Sequence, residues 1–195
     1  MNIANLTGER EIVVNAQAAS VFAALTEPEQ LLKWWGDDAV YRVTHMDHDL
    51  CLGGSVRFSG RFADGREFSA TGIYRVIDPP RVLEHTRLYA RGVPIEEETV
   101  IRYELEERDG GTRVRVVHSG FQSEQARNAH EDGWTRVLGW LSDYFRKASN
   151  AKADAASDHS NTSIGGAPSK ERGIFGYSER SSKFNLSAIE ARERE

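Results

Sequence analysis

The longest regular pattern in the chain is helical. From Ser123 to Arg146, Ala126, His130, Trp134, Val137, Leu138, Leu141 and Phe145 recur at spacings of three and four. Arg127, Asp132, Arg136 and Asp143 fall mostly outside that stripe. Ser123 is a natural N-cap, and Glu124 sets a negative charge at the positive helix end. At ~1.5 Å per residue this helix spans roughly 35 Å, enough to cross a small sheet. Its apolar arc is wider than a coiled-coil seam needs, so a large concave surface is expected beneath it.

Upstream the period changes to two. Glu11–Asn15 alternates, with Ile12 and Val14 on one side and Val13 on the other, and reads as a first strand. Two short helices follow, one carrying Val21, Phe22 and Leu25, the next Leu31 and Leu32. Thr26 and Glu29 have capping-box spacing, and Pro28 sits where a first helical turn tolerates it. Six strands then succeed one another: one at Tyr41–His45, one around Val56, Phe58 and Phe62, then Glu67–Ile77, Arg81–Tyr89, Thr99–Glu107 and Thr112–His118. Asp64-Gly65 and Asp109-Gly110-Gly111 are hairpin turns, and Pro79-Pro80 ends a strand. Ile101, Tyr103 and Leu105 share one face with Val114, Val116 and His118, while Arg102, Glu104, Arg113 and Arg115 point away. The expected fold is therefore α+β: a curved antiparallel sheet with one wet face, its dry face covered by the long helix.

Composition narrows the field. Thirty acidic against 25 basic residues leave a net charge of −5, which argues against nucleic acid as a partner. No apolar run reaches the length of a membrane span, and Met1–Arg10 lacks a signal pattern, so a cytoplasmic location is expected. A lone Cys51 allows no internal disulfide. Beyond Arg146 the chain turns to Ala, Ser, Asn, Asp and Gly, and 147–195 reads as a disordered tail in which Ile174, Phe175, Tyr177 and Phe184 form a sparse cluster.

Several stretches together resemble a known family: Val21-Phe22-Ala23-Ala24-Leu25-Thr26 with Glu29, Leu31 and Trp34-Trp35; Gly53-Gly54 and Asp64-Gly65; Gly72 through Pro79-Pro80; Gly111-Thr112, His118-Ser119-Gly120-Phe121, and His130 with Gly133-Trp134. Over residues 9–146 the chain is similar to homologues of the C-terminal domain of the heat-shock protein 90 ATPase activator, within the START-like (SRPBCC) superfamily. The resemblance implies a helix-grip fold, a sheet wrapped round a long C-terminal helix with a pocket between. It leaves function open among carriers, receptors, aromatase/cyclase-like enzymes and chaperone regulators. Eukaryotic activators carry a separate N-terminal domain without a counterpart in these residues, so ligand binding ranks ahead of chaperone regulation.

The candidate ligand-binding residues follow from the two periods. Phe58, Tyr103 and Val116 are expected on the dry sheet face, with Trp134, Leu138 and Leu141 turned toward them and Trp35 at the mouth. His118 and His130 either contact ligand at the rim or tie the strand–helix corner together. Trp35 and Trp134 either face the cavity or plug the core, and Trp34 is assigned to the core. Glu84 enters the pocket if its face of the strand is the inner one. The guest so implied is an apolar or aromatic small molecule, with a chaperone or other protein as the alternative partner. No catalytic residue, cofactor or metal is assigned: serine-elbow, phosphate-loop, dinucleotide and zinc-protease motifs do not occur. His45, Asp47, His48, Asp49 and Cys51 lack a zinc spacing and read as a solvated loop.

With the domain closing at Arg146, deletion of Ala148–Glu195 is expected to leave the melting temperature unchanged. A fall of more than a few degrees would show that the tail packs on the core.

Overall fold

In the computed structural model, which describes residues 5–93 and 97–160 with side chains through Ala151, β1 (Leu6–Val14) precedes α1 (Ala18–Thr26) and α2 (Pro28–Trp34). Seven strands follow: β2 (Gly36–Asp37), β3 (Tyr41–His48), β4 (Ser55–Phe62), β5 (Glu67–Asp78), β6 (Val82–Arg91), β7 (Thr99–Arg108) and β8 (Gly111–Phe121). The long helix α3 (Glu124–Ser160) ends the described chain. All eight strands form one antiparallel sheet in the order β1-β8-β7-β6-β5-β4-β3-β2, so the first strand returns to pair with the last. The sheet curls as a half-barrel round α3, the helix-grip architecture.

Alternation explains the two faces. Val56 and Phe58 on β4, Tyr74 on β5, Leu83 on β6, Ile101, Tyr103 and Leu105 on β7, and Val114 and Val116 on β8 are buried on the inner face. From α3, Trp134, Val137, Leu138, Leu141 and Phe145 meet them. Outside, an ion-pair ladder crosses the strands: Glu84–Arg102 (3.0 Å), Arg102–Glu104 (2.9 Å), Glu104–Arg115 (2.8 Å) and Arg115–Glu9 (2.7 Å). The Arg102 guanidinium, hydrogen-bonded to Glu104, holds that carboxyl below the usual carboxylate range. At the β5–β6 crossing a side chain at Gly72 would run into the Thr86 carbonyl, and the Thr86 hydroxyl takes the Ile73 N–H at 3.0 Å instead.

Four local expectations change. β1 starts at Leu6, before Glu11, because its inner positions include Gly8 and Arg10, which carry no apolar signal. Gly8 lies under Glu131, the Glu9 N–H donates to Glu131 Oε1 at 3.2 Å, and Arg10 donates to Thr135 Oγ1 at 3.1 Å. β3 runs to His48, and the two-residue β2 pairs with it. Thr26 does not cap α2; it ends α1 and its hydroxyl donates to the Phe22 carbonyl at 2.8 Å. Ser123 does cap α3, its Oγ accepting the Ala126 N–H at 3.2 Å. α3 continues past Arg146 to Ser160, since the alanine-rich stretch there has high helix propensity even without an apolar stripe. Residues 161–195, with the aromatics of the tail, lie outside the described residues.

Leu138 and Leu141 are buried between helix and sheet, so Leu138→Ala or Leu141→Ala is expected to cost about 2–5 kcal/mol in urea unfolding. Asn150→Ala, on an exposed turn, serves as the control and should change stability by less than about 0.5 kcal/mol. Equal effects at the three positions would refute this seating of α3.

Candidate functional site

The helix sits off-centre. α3 packs most closely over β1, then over β8 and α2. On that side the space between helix and sheet is filled by Leu138, Leu141, Val114 and Val116. On the other side, over β3 to β6, a cavity of about 290 Å³ remains. Tyr41 and Val43 of β3, Phe58 and Phe62 of β4, and Phe68 and Ala70 of β5 make its wall. Arg87 and Tyr89 of β6 and Trp35 after α2 complete the sheet side. His130, Gly133, Trp134, Arg136 and Val137 form the helical roof. At Gly133 an added Cβ would meet nothing within 4 Å, so the helix leaves open space where a side chain would otherwise enter.

Trp134 anchors that roof. Its indole Nε1–H donates to His118 Nδ1 at 3.1 Å, while His118 Nε2 lies 2.9 Å from Thr99 Oγ1. The Thr99 hydroxyl donates in turn to the Arg87 carbonyl at 3.1 Å. An indole can only donate, so His118 Nδ1 is the acceptor and the ring proton resides on Nε2, pointing to Thr99. This one-way chain ties α3, β8, β7 and β6 together and fixes His118 as a neutral imidazole. Burial, reinforced by the charges of His130 and Arg87, pushes the His118 pKa well below its ordinary value. The other nearby imidazole, His130, donates from Nδ1 to the Ala126 carbonyl at 2.9 Å and leaves Nε2 uncommitted at the cavity roof. Burial lowers its pKa too.

Arg87 is the feature that sequence reasoning missed. Its side chain points inward in the register of Leu83 and His85, and the residue is only 8% exposed. The guanidinium carbon lies 5.0 Å from the Phe58 ring centre and 5.6 Å from that of Trp35, both of which also line the cavity. Its buried Nε has no hydrogen-bond partner among the described residues. Its charge contributes to depressing the pKa of His85, His118 and His130. Against that charge, desolvation pushes the Tyr41 hydroxyl up to about 12. The missed signal was alternation: Leu83, His85, Arg87 and Tyr89 are the inner set of β6, whereas the expectation from sequence weighed only the opposite set, with Glu84, as a possible inner face.

Of the residues singled out from sequence, the structure brings Trp35, Phe58, His130 and Trp134 to the cavity wall. Trp35 donates from Nε1 to the Tyr41 hydroxyl at 3.4 Å, whereas Trp34 donates to the Ala24 carbonyl at 2.9 Å and belongs to the core. Glu84 is a correction: it lies on the outer face, paired with Arg102 at 3.0 Å, because β6 enters the sheet with the opposite phase. Tyr103, Val116, Leu138 and Leu141 are buried but not at the cavity wall, since the helix presses onto them directly. Tyr103 stands edge-on beneath Trp134, ring centres 5.8 Å apart. His118 lies behind Trp134 rather than at the rim. His48 is bonded to the Tyr74 hydroxyl at 2.9 Å, and Cys51 is exposed. Among the described residues no group of three or more His, Cys, Asp or Glu could hold a metal, and no helix is long and apolar enough to cross a membrane.

Comparison with known proteins agrees with this geometry. A family model described as "Activator of Hsp90 ATPase homolog 1-like protein" matches residues 15–146. A crystal structure of a protein from Chromobacterium violaceum superposes with a TM-score of 0.65 at 18% identity, covering 71% of this chain and 96% of its own. One from Nitrosomonas europaea gives 0.62 at 21%, covering 74% and 97%. An AHSA1-like protein from Aeromonas hydrophila, solved by NMR, gives 0.60 at 18%, covering 74% and 94%. At such identities the likeness is one of fold. No curated protein matches the chain.

The interior histidines make stability pH-dependent. Burial, helped by the nearby Arg87 charge, holds His85 at about 3, and His118 and His130 are also lowered. Below about 6.5 the unfolded chain takes up protons that the folded protein refuses. The His85 contribution is therefore complete above about pH 6.5 and is lost on acidification toward pH 3, by up to about 1.4 kcal/mol per pH unit, and His118 and His130 add losses of the same sign below pH 6.5. Urea midpoints at pH 7, 6, 5 and 4.5 should fall steadily. His85→Phe, which keeps the aromatic contacts and cannot be protonated, should fall less steeply; an unchanged slope would refute a neutral buried His85.

Proposed function

Since the chain belongs to the Activator of Hsp90 ATPase homolog 1-like family, we propose that it uses the ligand-binding architecture of that fold to bind a small, largely apolar, aromatic-sized molecule. The observation that carries this reading is the cavity of about 290 Å³, walled by Trp35, Tyr41, Phe58, Phe62, Phe68 and Trp134. An apolar cavity of about 150 Å³ accommodates one benzene ring, so this one suits roughly two fused or linked rings. Aromatic walls favour stacking and edge-to-face contact with such a guest. A few polar groups, Tyr41, Tyr89, His130 and Arg87, would orient it.

Binding is favoured over turnover by how the imidazoles are used. His118 is committed at both nitrogens, and the free Nε2 of His130 is bonded to no nucleophilic side chain among the described residues. The family description speaks of chaperone ATPase activation; the concave, aromatic-walled cavity favours a small molecule as the first partner.

A neutral fluorescent probe with a single naphthalene body, 6-propionyl-2-(dimethylamino)naphthalene, should bind the native protein with saturation and quench tryptophan emission. Gly133→Leu provides the discriminating variant, because its side chain would grow into open space from a helical position. It should keep or raise the melting temperature, a helical glycine costing about 1 kcal/mol relative to good helix formers. The same change should reduce probe binding at least about tenfold by occupying the cavity. Unchanged probe affinity in a folded Gly133→Leu protein would place the probe elsewhere and remove the support for this reading.

A further inference from the structure

We propose that the guest of this cavity is an aromatic carboxylate, and that Arg87 receives its carboxyl group; the inference rests on the ligand-binding reading above and names the ligand's class. A guanidinium removed from water needs a compensating anion or hydrogen-bond acceptors, because the desolvation of an isolated charge costs several kcal/mol. Arg87 is 8% exposed, and its Nε donor is buried without an acceptor among the described residues. What surrounds it instead is aromatic: Phe58 at 5.0 Å and Trp35 at 5.6 Å to the ring centres. Cation–π attraction steadies the charge but satisfies none of its in-plane N–H donors. Those donors form a planar fork whose natural complement is the two oxygens of a carboxylate.

The rest of the cavity fits the same guest. The rings that hold the guanidinium also wall the space beside it, so an acid whose apolar body is aromatic would place its carboxylate and its body on adjacent surfaces. The positive charge is not local in effect, as it is among the causes that lower the pKa of His85, His118 and His130. Arg136, on the exposed side of α3, adds a second cation at the roof. The lining carries no carboxylate among the described residues, so nothing of like charge opposes an entering anion. The carbonyl of Arg87 is held by Thr99 at 3.1 Å, at the end of the chain that begins at Trp134. The strand position of the guanidinium is thus set by the same bonds that seat the helical roof.

The test is competition on the full chain. The protein is loaded with 6-propionyl-2-(dimethylamino)naphthalene and titrated at pH 7 with 2-naphthoate or with 2-naphthamide, its neutral planar near-isostere. Naphthoate should displace the probe at a concentration about tenfold or more below that of the amide, the margin of a charge-assisted hydrogen bond. Arg87→Met should bring acid and amide to equal displacement concentrations, whatever it does to the affinity of the probe itself, Arg87→Lys should keep part of the preference, and Arg136→Gln should keep most. Equal displacement by acid and amide in the wild type would overturn the inference with no variant needed, and so would a preference that survives Arg87→Met or vanishes with Arg136→Gln. In each of those cases probe binding persists and the ligand-binding reading stands. Failure of the wild type to bind the neutral probe would instead sink that reading, and this one with it.

Discussion

One hydrogen bond sets the relation of helix to sheet. The Trp134 indole N–H can only donate, and the acceptor it finds is His118 Nδ1 at 3.1 Å, on β8, the second strand of the last hairpin in the chain. That choice forces the histidine proton onto Nε2, toward Thr99, and the Thr99 hydroxyl onto the Arg87 carbonyl. A buried polar group left without its partner costs about 1–3 kcal/mol, so shifting any member of this chain penalises the next. Rotation of α3, protonation of His118 and displacement of β6 are thereby coupled, although the residues lie up to 47 positions apart, from Arg87 to Trp134.

The cavity is a consequence of where this bond and its neighbours hold the helix. Glu131 and Thr135 bond to the Glu9 N–H and the Arg10 side chain, drawing α3 over β1. A half-barrel eight strands wide is broader than one helix, and a helix held at one margin leaves space at the other. Large side chains partly fill it, Trp35, Phe58 and Phe68 among them, but Gly133 and Ala70 withhold volume where helix and sheet face each other across it. The interior therefore divides into a packed half, which supplies stability, and an open half, which holds the buried Arg87 on its wall.

The two sheet faces manage charge differently. Outside, arginines and carboxylates alternate across β1, β8, β7 and β6, each pair partly exposed and screened, so that individually such bridges contribute little. Inside, Arg87 stands among aromatic rings and neutral imidazoles, where the low dielectric makes one charge felt across the cavity. The same residue type serves as a surface rivet in one place and as a recognition group in the other; burial makes the difference.

The amino-acid sequence by itself determined the architecture. Period-two alternation in β7 and β8, hairpin glycines at Gly65 and Gly110, and the stripe from Ala126 to Phe145 are local signals, and each names its element and its buried face. Period also sorted Trp35, Phe58, His130 and Trp134 toward the interior. What it did not carry was the lateral position of α3 over the sheet, because Gly8 makes room for Glu131 while the Glu9 N–H and Arg10 seat the helix through polar contacts that leave no apolar pattern. Without that position, Leu138, Leu141, Val116 and Tyr103 could not be told apart from true cavity residues, since all share the dry face. The phase of β6 was likewise ambiguous: Val82, Glu84, Thr86 and Leu88 against Leu83, His85, Arg87 and Tyr89 place one charge in either set. Only pairing with β7, where Leu83 falls opposite Tyr103 and Glu84 opposite Arg102, turned Arg87 inward and Glu84 out, because a strand's neighbours and not its own composition decide which of its faces loses water.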